Sequence, residues 1–176
     1  MKLPFKLLAV LVSTTLSAQL SVAVLDFDGI GITEDEARAL SGRFGTEFMG
    51  VSKGTYKIGP LYYRKDRVKN IKTELKYISI NKKMGWCDDA RDFKNYNKMI
   101  YTNTNSSHEK LYRKDHKYDL LIPIKYNYSN PTPGRGSCIF IHLTKNFGPT
   151  AGCIALSKKD FLIMLKIINK NTKIKI

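Results

Sequence analysis

Cysteine is scarce. Three cysteines in 176 residues, Cys87, Cys138 and Cys153, are too few and too far apart for a disulfide scaffold, and their odd number leaves at least one thiol unpaired within a monomer. No CxxC or HExxH pattern accompanies them, so the sequence offers no metal site and calls for no cofactor. A Cys138/His142/Cys153 cluster has no recognised ligand spacing. Acidic residues are also few, 15 against 30 lysines and arginines, for a formal charge of +15. The lysines are scattered, without a recognition helix or zinc-finger spacing, which argues against nucleic acid as the partner. An anionic envelope polymer suits such a surface equally well. Long apolar runs are missing too: Leu7 to Leu16 is too short to span a bilayer comfortably.

What is present is unevenly spread. Residues 1–52 carry Lys2, Lys6, Arg38 and Arg43 against Asp26, Asp28, Glu34, Asp35, Glu36 and Glu47, a net of 4 − 6 = −2. Residues 53–176 therefore carry +17, and all ten tyrosines and every asparagine lie there. Lys2 and Lys6, the Leu7–Leu16 run and the small-residue exit Ser17-Ala18 form the pattern of a signal peptide over residues 1–18. The mature chain then begins near Gln19, works outside the cytoplasm in the periplasm or cell envelope, and keeps no membrane span. Residues 19–52 read as a strand, Ser21 to Phe27, followed by a helix over residues 34–49. Thr33 is its N-cap, Glu36 completes a capping box, and Ala37, Leu40, Phe44 and Phe48 fall at helical spacing. Val22-Ala23-Val24-Leu25-Asp26-Phe27 and that helix resemble the start of CsgG-type envelope proteins.

From Lys53 onward the texture is β-rich. Gly54 to Tyr63 reads as a strand with a Gly-Pro interruption, and residues 73–80 as another. Met84 to Asp89 reads as a loop, residues 92–106 as mainly loop, and Ser107 to Tyr112 as the start of a helical turn. Tyr118 to Tyr126 reads as a strand in which Pro123 hints at an edge or bulge. Cys138 to His142 and Cys153 to Leu156 are strands. In the first, period-two geometry puts Cys138, Phe140 and His142 on one face. Ser157 caps a helix with Asp160 in its first turn, and Phe161, Leu162, Leu165 and Ile168 form its buried stripe. Asn171 ends it, and Thr172 to Ile176 closes the chain as a strand.

The candidate chemistry lies in the last third. Arg135-Gly136-Ser137-Cys138-Ile139-Phe140-Ile141-His142 delivers a histidine on an apolar strand, and Pro149-Thr150-Ala151-Gly152-Cys153-Ile154-Ala155-Leu156 delivers a cysteine after a glycine. A thiol and an imidazole on adjacent strands are the minimum for cysteine nucleophile chemistry. Gly152 lets the backbone approach a substrate closely, and the N–H groups of Ala151, Gly152 and Cys153 are candidates for an oxyanion hole. Acyl transfer is the natural reaction of such parts. Cys138 is a rival nucleophile, since it shares a face with His142. A structural reading, with both cysteines as inert packing, competes with all of this.

These blocks resemble the active-site region of the YkuD-type L,D-transpeptidase family, in the branch with a Gly-Arg-Gly-Ser opening and a Pro-Thr-x-Gly-Cys core. The resemblance extends upstream through Lys53 to Gly59, Gly85-Trp86-Cys87-Asp88-Asp89, His108-Glu109 and Tyr118-Asp119. It implies a mainly β fold, a β-sandwich catalytic domain over residues 53–176 with one C-terminal helix, here preceded by the short strand-helix segment. It implies peptidoglycan stem peptides as partners, Cys153 as nucleophile and His142 as general base. An amine acceptor makes the protein an L,D-transpeptidase; water makes it an L,D-carboxypeptidase. Arg135 would hold a substrate carboxylate or a structural salt bridge, and Trp86, Asp88 and His108 would line the site. Two departures stand out. The better-known pattern has histidine and arginine where this chain has Ala151 and Ala155. The family domain also normally carries more chain before the Lys53 block. With the composition break at residues 50–53, this favours a fusion of two fragments over a diverged N-terminus. A truncated or chimeric envelope protein without catalysis is the rival expectation.

Overall fold

The computed structural model describes residues 54–145, 150 and 152–176, together with the backbone of Val24–Leu25. The expected signal segment, the helix over residues 34–49, most of the strand from Ser21 to Phe27, and Ala151 lie outside the described residues. In chain order the elements are β1 (Val24–Leu25), β2 (Thr55–Lys57), β3 (Leu61–Tyr63), β4 (Tyr77–Ser79), β5 (Met84–Cys87), β6 (Met99–Tyr101), β7 (His108–Lys110), β8 (Leu120–Pro123), β9 (Phe140–Leu143), β10 (Ile154–Leu156), α1 (Lys158–Ile167) and β11 (Lys173–Lys175). Among the described residues the fold is mainly β with one helix, near the C-terminus, as expected.

A five-stranded sheet, ordered β10-β9-β8-β3-β4, forms the middle layer. Both faces are buried along β8, β9 and β10, which is why β8 reads Leu-Leu-Ile-Pro instead of alternating with polar residues. Alternation survives as a division between two cores. Leu120, Ile122, Ile141, Leu143, Ile154 and Leu156 enter one core with Phe161, Met164 and Leu165 of α1. Leu121, Phe140 and Tyr62 enter the other, with Trp86 and Met84 of β5. A three-stranded sheet, β6-β5-β7, covers that second face.

Three segments expected as loop or helical turn are strands. Met84 to Cys87, expected as a loop, is a strand buried at every position. His108 to Lys110, expected as a helical turn, pairs with it antiparallel, and Met99 to Tyr101 emerges as a strand from the presumed loop. A strand covered on both faces shows no polar alternation, and the polar His-Glu-Lys edge shows no apolar one, so neither carries the periodic signal of a strand. Gly85 has a steric reason: a Cβ there would stand 2.6 Å from the His108 ring. Pro123 is not on an edge, since β8 lies between β9 and β3, but the register slips by one residue beside it: Tyr62 pairs with Leu121 and Ile58 with Ile124, as a bulge requires. It ends β8, opposite Phe140 of β9, and its carbonyl accepts from the Gly59 N–H at 2.7 Å.

The helix forms where its cap lies. The Ser157 hydroxyl accepts from the Asp160 N–H at 3.2 Å and donates to the Asp160 carboxylate at 2.6 Å. The helix stops earlier than Asn171, at Ile167, and Met164 joins its buried face while Leu162 is half-buried. β11 then lies between β1 and β2, and Gly54 and Ile176 exchange two 2.9 Å hydrogen bonds. No helix among the described residues is long and apolar enough to cross a membrane.

Phe161 is fully buried between α1 and the middle sheet. Phe161→Ala is expected to lower unfolding stability by about 3–5 kcal/mol. Ser157→Ala should cost about 1 kcal/mol. Urea titrations followed by circular dichroism check both; equal losses would show that the cap, not the core contact, holds the helix.

Candidate functional site

The site is built on the parallel pair β9 and β10. Their register sets Ile154 beside Ile141, Ala155 beside His142 and Leu156 beside Leu143. One step back, Cys153 falls level with Phe140. Side chains alternate along strands, so Cys153, Ala155, Phe140 and His142 share one face, and Cys153 and Cys138 pack against the core on that side.

His142 is buried, at 6% exposure. Its Nδ1 lies 2.9 Å from the Leu143 carbonyl oxygen. A carbonyl only accepts, so Nδ1 carries the proton and Nε2 of the neutral ring is left as the acceptor. The Tyr118 ring meets the imidazole edge-on at 5.6 Å, and the Arg113 guanidinium sits 5.1 Å from the centre of that tyrosine ring. Burial lowers the His142 pKa, the Leu143 carbonyl opposes this, and the positive charges of Lys117 and Arg113 lower it further. Asp115 opposes them; the net shift favours the neutral imidazole.

The Cys153 thiol is neutral as well. Burial pushes it up to about 11; the Phe140 backbone N–H works against this, Glu109 adds to it and Lys117 opposes it. In this structure its hydrogen bond goes to the Cys138 carbonyl, 3.3 Å away, and not to the imidazole. The structure thus brings the thiol and the imidazole to one face of neighbouring strands, with burial favouring the uncharged form of each.

Cys138, expected inside the strand, stands before it in a left-handed conformation with φ of 57°. Its N–H donates to the Asn97 Oδ1 at 3.1 Å, its own thiol approaches the Trp86 carbonyl at 3.8 Å, and burial drives that thiol far above its ordinary range. Asp88, whose charge adds to that rise, has one carboxylate oxygen buried without a partner. Gly152, before the candidate nucleophile, has φ of +107°, where any L side chain would be strained.

The remaining expected site residues fall in different places. Trp86 is 2% exposed; its ring packs edge-on against Phe140 at 5.2 Å and supports the site from beneath. His108 is half-buried on β7, its Nδ1 bound to the Ser106 carbonyl at 2.8 Å. Arg135 is exposed on the turn before β9, and among the described residues it forms no ion pair. The expected oxyanion donor Ala151 lies outside the described residues. No group of three or more His, Cys, Asp or Glu among the described residues is arranged to hold a metal ion.

Sequence reasoning missed Asn97. This buried side chain accepts from the Trp86 Nε1–H at 2.9 Å and the Cys138 N–H, and donates to the carbonyls of Tyr126 at 3.0 Å and Asn127 at 2.7 Å. It sits in an asparagine-rich stretch with no periodicity, and only its left-handed φ of 55° singles it out. Tyr118 and Lys117 were also missed as site residues, since neither belongs to a recognisable catalytic spacing.

The YkuD family model, the L,D-transpeptidase catalytic domain, matches residues 30–176. No curated protein and no solved structure matches the chain.

The protonated resting state can be checked directly. Alkylation of Cys153 by iodoacetamide, read by peptide mass spectrometry, is expected to keep accelerating through pH 10, because the thiolate forms only as pH approaches about 11. A plateau below pH 8 would mean that an imidazolium stabilises the thiolate instead. Asn97→Ala strands several buried polar groups and is expected to cost about 3 kcal/mol or more. It should also red-shift the emission of Trp86, the single tryptophan; unchanged stability would remove Asn97 from its central place.

Proposed function

Because the chain belongs to the YkuD family of L,D-transpeptidase catalytic domains, we propose that it is an exported cysteine acyltransferase acting on peptidoglycan stem peptides, with Cys153 as nucleophile and His142 as general base. The observation that carries this reading is the β9–β10 register, which puts the two side chains on one face with Nε2 of His142 free to accept. With both groups neutral at rest, the proton moves during attack.

The thiol leaves the Cys138 carbonyl and gives its proton to His142 Nε2 as Sγ bonds to the carbonyl carbon of the third stem residue. The carbonyl oxygen becomes an oxyanion, met by backbone N–H groups around Gly152 and Cys153, with Ala151 the third candidate. Collapse breaks the peptide bond, and the imidazolium returns its proton to the leaving nitrogen of the terminal D-amino acid. A thioester remains. An acceptor amine gives its proton to His142, attacks, and restores the thiol; water in its place would make the protein an L,D-carboxypeptidase.

A carbapenem probe read by intact mass tests this. The adduct is expected on the unaltered protein, absent from Cys153→Ala, and formed about 100-fold more slowly or worse in His142→Gln. Labelling that survives Cys153→Ala but is lost in Cys138→Ala would move the nucleophile to Cys138. An unaltered protein that never labels would favour a non-catalytic envelope protein.

A further inference from the structure

The acyl-transfer reading fixes where the departing residue must lie, and the subsite for that residue depends on it. The leaving nitrogen receives its proton from His142, so the departing D-amino acid occupies the His142 side of the Cys153 thiol. Beside His142 lies a cavity of about 510 Å³, bordered by His142 and Ala155 on its strand face and by Lys158 at the start of α1; Cys153 is not part of its lining. This is the size of an ordinary small-ligand site.

Its charge is one-sided once internal pairs are discounted. The two carboxylates on its wall are already engaged: Asp115 by Arg113 at 2.5 Å, and Asp119 by Arg67 at 2.9 Å and His116 at 2.7 Å. Three lysines, Lys117, Lys145 and Lys158, also line it, and none has an ion-pair partner among the described residues. Lys117 stands apart from the other two. Its charge acts on both the His142 ring and the Cys153 thiol, so its ammonium lies within electrostatic reach of both reacting groups. A departing D-amino acid carries an α-carboxylate on the same carbon as its nitrogen. A cavity beside the proton donor with spare positive charge is complementary to that group.

We propose that this cavity is the subsite for the leaving residue, and that Lys117 holds its free α-carboxylate, making that carboxylate a specificity determinant of the donor. Such a contact discriminates against a donor that lacks the charge, and against the amide of the same peptide in particular, because size and shape are then nearly matched.

The test uses a tetrapeptide donor with a free terminal carboxylate and the same peptide as its C-terminal amide. Acylation of the full chain is followed by intact mass and expressed as the ratio of kcat/KM for carboxylate over amide. The ratio is expected to be about tenfold or more in the unaltered protein. It should fall to near one in Lys117→Gln, through KM, and recover in Lys117→Arg. A ratio near one in the unaltered protein, or one that Lys117→Gln leaves in place, overturns the proposal. Equilibrium binding of both peptides to Cys153→Ala separates this from failure of the acyl-transfer reading. If neither donor acylates but the carboxylate binds tighter in a Lys117-dependent way, the subsite stands and the chemistry falls. If the two bind equally, the subsite falls.

Discussion

Two side-chain amides hold the approach to the candidate site in place of a strand ladder. Asn97 binds the Trp86 indole, the Cys138 N–H and the carbonyls of Tyr126 and Asn127. Asn127 in turn donates to the carbonyls of Thr132 at 2.9 Å and Gly136 at 2.8 Å and accepts from the Thr132 N–H at 2.8 Å. The segment between β8 and β9 makes few backbone pairs of its own, so these bonds satisfy polar groups that would otherwise be stranded near the core. Both asparagines are themselves left-handed, a conformation asparagine tolerates better than most residues. Everything downstream inherits this arrangement: the turn at Cys138, the direction of its carbonyl, and the resting place of the Cys153 hydrogen.

Beyond that turn the middle sheet takes over. β9 lies between β8 and β10, so His142 is fixed by pairing on both sides. Its ring orientation comes from one bond to the next residue's carbonyl and one edge-on tyrosine. Tyr118 is backed by Arg113, which is tied to Glu109 at 2.6 Å and to Asp115. A line of charge pairs on the surface thus reaches the imidazole through a single aromatic ring. The imidazole is thus positioned by a strand paired on both sides, while Cys153 stands one residue before β10.

The face shared by Phe140 and His142 was legible in the sequence, because alternation in Ile-Phe-Ile-His is unambiguous, and the capped helix after Ser157 obeys simple rules. The β5–β7 sheet was not. Met-Gly-Trp-Cys is buried on both sides, and His-Glu-Lys pairs through its backbone alone, so the evidence for each strand lies in its partner. Cys138 passes for a strand residue because alternation cannot report a sign change in φ. Asn97 is invisible for a related reason: its four partners lie on three separate segments, a relation that no local window contains. Residue type and order are enough to name Cys153 and His142 as candidates; they say nothing of the hydrogen bonds those side chains make.

The Cys138 carbonyl also protects the sulfur that it holds. Burial pushes the Cys153 thiol well above its ordinary range, and the Cys138 carbonyl accepts the hydrogen that remains on it, so the sulfur is largely un-ionised at pH 7. Peroxides and other oxidants attack the thiolate far faster than the thiol. A sulfur guarded in this way ages slowly in an oxidising surrounding and is unmasked only when a base and an electrophile are present together. The same geometry that delays reactivity therefore also preserves it.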